Sequence, residues 1–154
     1  MGFSKTQKEI IRKTWTQVKE VRGSNAEFGR TIFLRLFELA PGAQQLFPFR
    51  DESLEELKTS KKLGRHGANF VGFLDKAVKG LDNMFGDVGP KFVGLGARHY
   101  GYGTEEAHYA IVGQTLMDVL SSSLGADFTP EIKQAWVDLY DIIQAAMMEG
   151  QTDH

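Results

Sequence analysis

Cysteine is absent from this 154-residue chain. That removes disulfides, thiolate metal centres, iron–sulfur clusters, thioether attachment of a cofactor and any cysteine nucleophile. Long apolar runs are missing too. No stretch approaches the roughly 20 residues of a membrane span, and no secretory apolar segment opens the sequence, so the expected address is cytoplasmic. Charge of one sign is also lacking. A net charge of −2 gives no basic footprint for nucleic acid, and the modest cluster Lys58, Lys61, Lys62 and Arg65 reads as a solvated helix face. Alternating apolar and polar residues of the strand type persist nowhere, and no internal repeat is present. At this length one domain is expected, spanning 1–154 with an ordered core of about 4–149. Met1-Gly2-Phe3-Ser4-Lys5-Thr6 fits the permissive pattern for N-myristoylation. A single acyl chain on Gly2 is the one route to membrane contact, and it would anchor only marginally.

What the chain does contain is helical periodicity, punctuated by only four prolines. Ser4 with Gln7 forms a capping box ahead of a stripe of Ile11, Trp15 and Val18, predicting a first helix that ends near Val21. A second helix is predicted over about 26–39, with Phe33, Leu36 and Phe37 inward. Ala40-Pro41 breaks it and opens a short helix ending at Leu46-Phe47. Phe47-Pro48-Phe49 reads as a corner, and Ser53-Leu54-Glu55-Glu56 as a second capping box. A long helix is predicted from about Ser60 to Asn83, and a Gly-containing break follows from Gly86 to Pro90. Pro90 starts a short helix ending at His99, which Gly101 and Gly103 stop. Thr104 is the expected cap of the next helix, which buries Tyr109, Val112, Leu116 and Leu120 and ends at Gly125. Thr129-Pro130-Glu131 opens the last helix, with Ile132, Trp136, Leu139, Ile143 and Ala146 inward. The expectation is an all-α fold of six main helices and one or two short ones. Unequal lengths and cornered joints fit poorly with an up-and-down bundle.

Two histidines stand out on these helices. His66 shares an apolar face with Leu63, Phe70, Phe73 and Leu74, and His99 follows Phe92 and Leu95. Imidazoles aimed from separate helices into an oily space suit a buried, flat metal cofactor better than a core. The eleven phenylalanines suit such a dry pocket, and equally a generous core. His108 and His154 read as surface residues, without a zinc-type spacing to His99.

Several features occur together in a recognisable order: Trp15, then Arg35-Leu36-Phe37 with Pro41, then Phe47. His66 follows nineteen positions after Phe47, and His99 thirty-three after His66. In this the chain resembles the globins over nearly its whole length. Phe128-Thr129-Pro130, Ala135-Trp136, Leu139-Tyr140 and Gln144-Ala145 are most similar to neuroglobins. The resemblance implies a globin fold around haem b. It makes His99 the proximal iron ligand and His66 the distal histidine. Phe47 would stack on the haem, with Phe33 and Phe70 walling the distal side. Asn69 stands where neuroglobins carry a propionate-reaching lysine, and Phe70 replaces a smaller aliphatic residue.

For the site itself, the His99 ring nitrogen away from the metal is expected to donate to a backbone carbonyl or water, one turn back near Leu95. His66 stays open between donating a hydrogen bond to bound O2 and serving as a sixth iron ligand. Arg98 is the first choice as propionate partner, ahead of Arg65 and Lys62, and Tyr109, Val112 and Thr104 are expected along the inner wall. The implied function is reversible binding of O2, CO or NO for storage, transport or sensing. The alternative is redox chemistry at the same iron, as an NO dioxygenase, nitrite reductase or peroxidase-like enzyme supplied by an external reductase. A cofactor-free sensor or bilin carrier is a third reading, opposed by the missing cysteine and the two histidines.

Overall fold

The computed structural model describes residues 3–100 and 102–152. Gly2, Gly101 and His154, each named above, lie outside them. Among the described residues there is no strand. Seven α-helices follow one another: α1 (Lys5–Arg22), α2 (Asn25–Leu39), α3 (Leu54–Leu57), α4 (Lys61–Lys79), α5 (Gly89–Tyr100), α6 (Glu106–Leu124) and α7 (Pro130–Thr152). A 3-10 turn at Pro41–Leu46 follows α2, and 3-10 and π turns at Leu81–Asn83 and Met84–Val88 lead into α5. Among the described residues, no helix is long and apolar enough to cross a membrane.

The capping residues do what their chemistry predicts. The Ser4 hydroxyl accepts from the Gln7 amide while Gln7 reaches back to the Ser4 amide, and Ser53 with Glu56 repeats the arrangement. Ser60 caps α4 by accepting from the Leu63 amide. Two expectations are corrected. The long helix does not run to Asn83: it stops at Lys79, where the Gly80 amide closes onto the Lys76 carbonyl. Leu81, Met84 and Val88 are still buried, because the tighter and wider turns that follow keep them facing inward. Thr104 is not the cap of α6. That position belongs to Glu105, whose amide donates to His108 Nδ1 at 2.8 Å. The last helix continues to Thr152, past the expected core boundary near 149.

Packing sorts the buried side chains into two clusters. The larger joins α1, α2, α4, α6 and α7 around Trp15, Phe28, Leu116 and Trp136. The smaller gathers Phe33, Leu36, Phe37, Phe49, Leu57 and Leu63 around the corner after α2. Phe70 and Val112 pack against both. Trp136 Nε1 donates to the Thr14 hydroxyl at 2.9 Å, and Trp15 Nε1 to Asp75 Oδ1 at 2.7 Å, so both indoles are buried with their polar edge satisfied.

The closest helix pairs are α2 on α4 and α5 on α7. Both are glycine crossings. A Cβ on Gly29 would land on the Gly67 backbone, one on Gly96 on the Met147 carbonyl, and one on Gly150 on the Val93 carbonyl. Only residues without a side chain let these backbones approach so closely. The crossings fix where α4 and α5, the helices that carry His66 and His99, stand in the molecule.

Candidate functional site

A cavity of about 660 Å³ opens where the two clusters meet, a size within the range of small-molecule and cofactor pockets. All ten residues singled out from the sequence line it: Phe33, Phe47, His66, Phe70, Leu95, Arg98, His99, Thr104, Tyr109 and Val112. Arg98 is exposed, so its guanidinium lies at the rim. Arg65 and Lys62 do not line this cavity; Arg65 borders a separate small cleft with Arg30 and Lys61.

His99 sits in the last turn of α5. Its Nδ1 donates to the Leu95 carbonyl at 2.9 Å, the partner expected one turn back. A carbonyl can only accept, so the proton is on Nδ1 and Nε2 keeps its lone pair. Burial pushes the His99 imidazole below the ordinary histidine value; the Leu95 bond opposes this, and the neighbouring Arg98 charge adds to it. Two aromatic rings flank His99: Tyr102 at 5.1 Å edge-on, and Tyr109 at 6.2 Å.

His66 comes from the middle of α4 into a cage of phenyl rings. Phe33, Phe47 and Phe49 present T-shaped contacts to it at 4.8, 5.0 and 6.1 Å. Burial, and the nearness of His99, lower its pKa to about 4. At neutral pH it is an uncharged imidazole, the form that ligates metal. Phe70 packs edge-on to Phe33 at 5.3 Å, and Phe47 lies stacked on Phe49, with 12° between planes.

Some lining residues were not anticipated. His108, expected on the surface, is half-buried and lines the cavity, while its Nδ1 accepts from the Glu105 amide. Phe49 does not line the cavity but packs against His66 from the corner; as one more buried aromatic it carried no distinguishing signal. Tyr140, Ile143 and Met147 form a wall from α7; of these only Ile143 was expected to face inward, and that did not say that a cavity is there. The Tyr140 hydroxyl donates to the Tyr109 carbonyl at 2.6 Å.

The family model described as Globin matches residues 30–147. The chain is a globin. Its sequence is 33% identical over 151 residues to the neuroglobin of Dissostichus mawsoni, covering 96% of this chain and 92% of that one. Neuroglobin-1 of Oncorhynchus mykiss is 30% identical over 150 residues, with 96% and 92% covered. The anaerobic nitrite reductase HBII of Casuarina glauca is 31% identical over 150 residues, with 95% and 91% covered. Among solved structures, a hexacoordinated heme protein from an anhydrobiotic tardigrade, crystallised at pH 4, superposes with a TM-score of 0.86. It covers 97% of this chain and 95% of that one at 18% identity, and it shares the fold.

Membership of the globin family implies haem, and the residues of this globin fit the group. Among the described residues no three His, Asp or Glu side chains gather into a metal site. Two imidazoles alone are too few for a protein-only centre, which takes four ligands in a structural site. They match a metal that brings its own equatorial ligands. The surrounding walls are mostly apolar, as a large flat hydrophobe requires, and the Arg98 cation stands at the rim for carboxylates that reach solvent.

Proposed function

We propose that this globin reversibly binds O2 and the other small diatomic gases CO and NO at a haem b iron, for storage, transport or sensing. The observation that carries the reading is the pair of neutral imidazoles, from α4 and α5, lining one apolar cavity. Haem supplies the iron at which a diatomic ligand exchanges. The chain does the rest. His99 would hold the iron through Nε2, its Nδ1 proton committed to Leu95 and its ring orientation fixed by that bond. Phe33, Phe47, Phe70, Leu95, Tyr109 and Val112 would keep water from the group, while Arg98 would pair with one of its carboxylates at the rim.

His66 takes the distal place. As a neutral ring it can donate to the ligand, a hydrogen bond worth on the order of 1 kcal/mol or more. We assign it a second role: with no gas bound, His66 would itself hold the iron, and a gas would compete with its imidazole. Optical spectra of the reduced, ligand-free protein test this. Wild type is expected to be low-spin and six-coordinate, and His66→Ala high-spin and five-coordinate. An unchanged spectrum in the variant overturns distal coordination.

Similarity to a protein named as an anaerobic nitrite reductase favours a second reading, reduction of nitrite at the same iron. This chain would then draw electrons from an external reductase. Steady turnover of nitrite with a physiological reductant supports it, and a single stoichiometric reaction that then stops rejects it.

A further inference from the structure

The residues after His99 and the last turn of α7 are joined by one side chain. Gln151 accepts from the Tyr109 hydroxyl through Oε1 at 2.7 Å, and its amide nitrogen donates to the Thr104 carbonyl. Both contacts belong to segments that bracket the His99 ring. On one side, the Tyr102 amide donates back to the His99 carbonyl at 2.9 Å and the Tyr102 ring lies edge-on to the imidazole. Gly103 then turns the chain with φ of +77°, and Thr104 is the first residue beyond that turn to be held from outside. On the other side, Tyr109 packs its ring beside the imidazole. The amide has one acceptor and one donor edge, and each edge finds the partner of the complementary kind.

The location of Gln151 follows from the fold. It directly succeeds Gly150, whose backbone rests on α5 at Val93 and Ala97, and Gly96 of α5 rests on Met147. These two contacts press the end of α7 against the short helix that carries His99, leaving Gln151 level with the turn that leaves it. The helix is therefore backed along its length by glycine packing and closed at its end by the Gln151 bridge.

We propose that Gln151 is a positioning residue for His99: by tying the Thr104 carbonyl to the Tyr109 hydroxyl it locks both flanks of the imidazole and so fixes the ring toward the iron. This rests on the reading of His99 as the axial ligand given above. The direct hydrogen-bond partner of His99 is the Leu95 carbonyl; Gln151 acts one step further out, through Tyr109 and Thr104. Its loss is therefore expected at the low end of the roughly 10- to 100-fold that removal of a direct partner costs in metal affinity.

The test uses haem-loaded protein in a His66→Ala background, which frees the sixth position so that the iron–histidine stretching band can be read by resonance Raman. Gln151→Met keeps the length and removes both hydrogen bonds. Gln151→Glu keeps the acceptor for Tyr109 and sets a carboxylate oxygen against the Thr104 carbonyl. Tyr109→Phe removes one limb only, and it reads the bridge even if a Gln151 variant fails to fold. The expected result is a shifted and broadened band in both Gln151 variants, a smaller change in Tyr109→Phe, and haem transfer to an acceptor apoprotein about 10-fold faster. A lowered melting temperature with the band and the transfer rate unmoved overturns the proposal, since that is what mere helix packing would give. If the parent shows no iron–histidine band, or His99→Ala retains it, the axial-ligand reading itself falls and takes this inference with it.

Discussion

At the scale of single residues, the chemistry of each partner decides what a substitution does. Asp75 is an example outside the cavity: its carboxylate accepts from Trp15 Nε1, from Lys19 Nζ at 2.9 and 3.0 Å, and from Asn25 Nδ2 at 3.2 Å. Partial burial pushes its pKa up, but the three donors and the Lys19 charge outweigh that and hold it below the ordinary value of 3.8. A depressed carboxylate stabilises the fold at pH above 3.8, and the contribution is lost as pH falls through its lower folded value. Asp75→Ala is expected to cost on the order of 2 kcal/mol at neutral pH, because it also strands a buried indole N–H. Urea denaturation at pH 7 and at pH 3 checks this: the gap between wild type and variant should narrow in acid, and a gap that stays constant contradicts it. None of these partners was legible in the sequence, since Asp75 lies 60 residues from Trp15 and nothing local marks the pair. His99 is the opposite case. Its carbonyl partner is one helical turn away, so geometry along a single helix was enough to anticipate it.

At the scale of elements, helix starts were easier to read than helix ends. Ser4 and Ser53 announce their helices through capping boxes, in which the serine hydroxyl accepts from a nearby amide, and Ser60, expected as about the first residue of its helix, is its cap. Ser60→Ala is expected to destabilise the protein by about 1 kcal/mol, measurable by thermal melting. The end of α4 was misplaced because Leu81, Met84 and Val88 continue the inward pattern through turns that are no longer α-helical. Periodicity reports which way a side chain faces, and it is insensitive to a change of turn type. Thr104 was taken for a cap because its hydroxyl can serve as one. In the fold its carbonyl is engaged by Gln151 and the neighbouring Glu105 heads the helix. The glycine crossings were not legible either, since a lone glycine in a helix does not announce which backbone it will meet. Gly96→Ala sets a methyl against the Met147 carbonyl and should cost about 1–3 kcal/mol as overpacking. Because α5 carries His99, the same variant should also release haem faster, and equal release rates would break the link drawn between this crossing and the site.

At the scale of the whole molecule, the helices assemble into two clusters with a cavity of about 660 Å³ between them, and the position of that cavity follows from the order of the helices. The ordered set of Trp15, Pro41, Phe47, His66 and His99 was sufficient to anticipate the fold and the cavity's main lining. The α7 wall and the inward turn of His108 needed the tertiary structure. A ligand that binds the folded chain and not the unfolded one stabilises the fold by mass action. Haem is expected to raise the melting temperature in a concentration-dependent way, with about 4 kcal/mol of linkage at a thousandfold excess over the dissociation constant.

The central claim, that this cavity holds haem through His99, is tested most directly by titrating the apoprotein with haem and following the Soret absorption. Wild type should saturate sharply at one haem per chain, and His99→Ala should bind at least tenfold more weakly. A protein that stays colourless with added haem, or a His99→Ala titration that superposes on wild type, would contradict it.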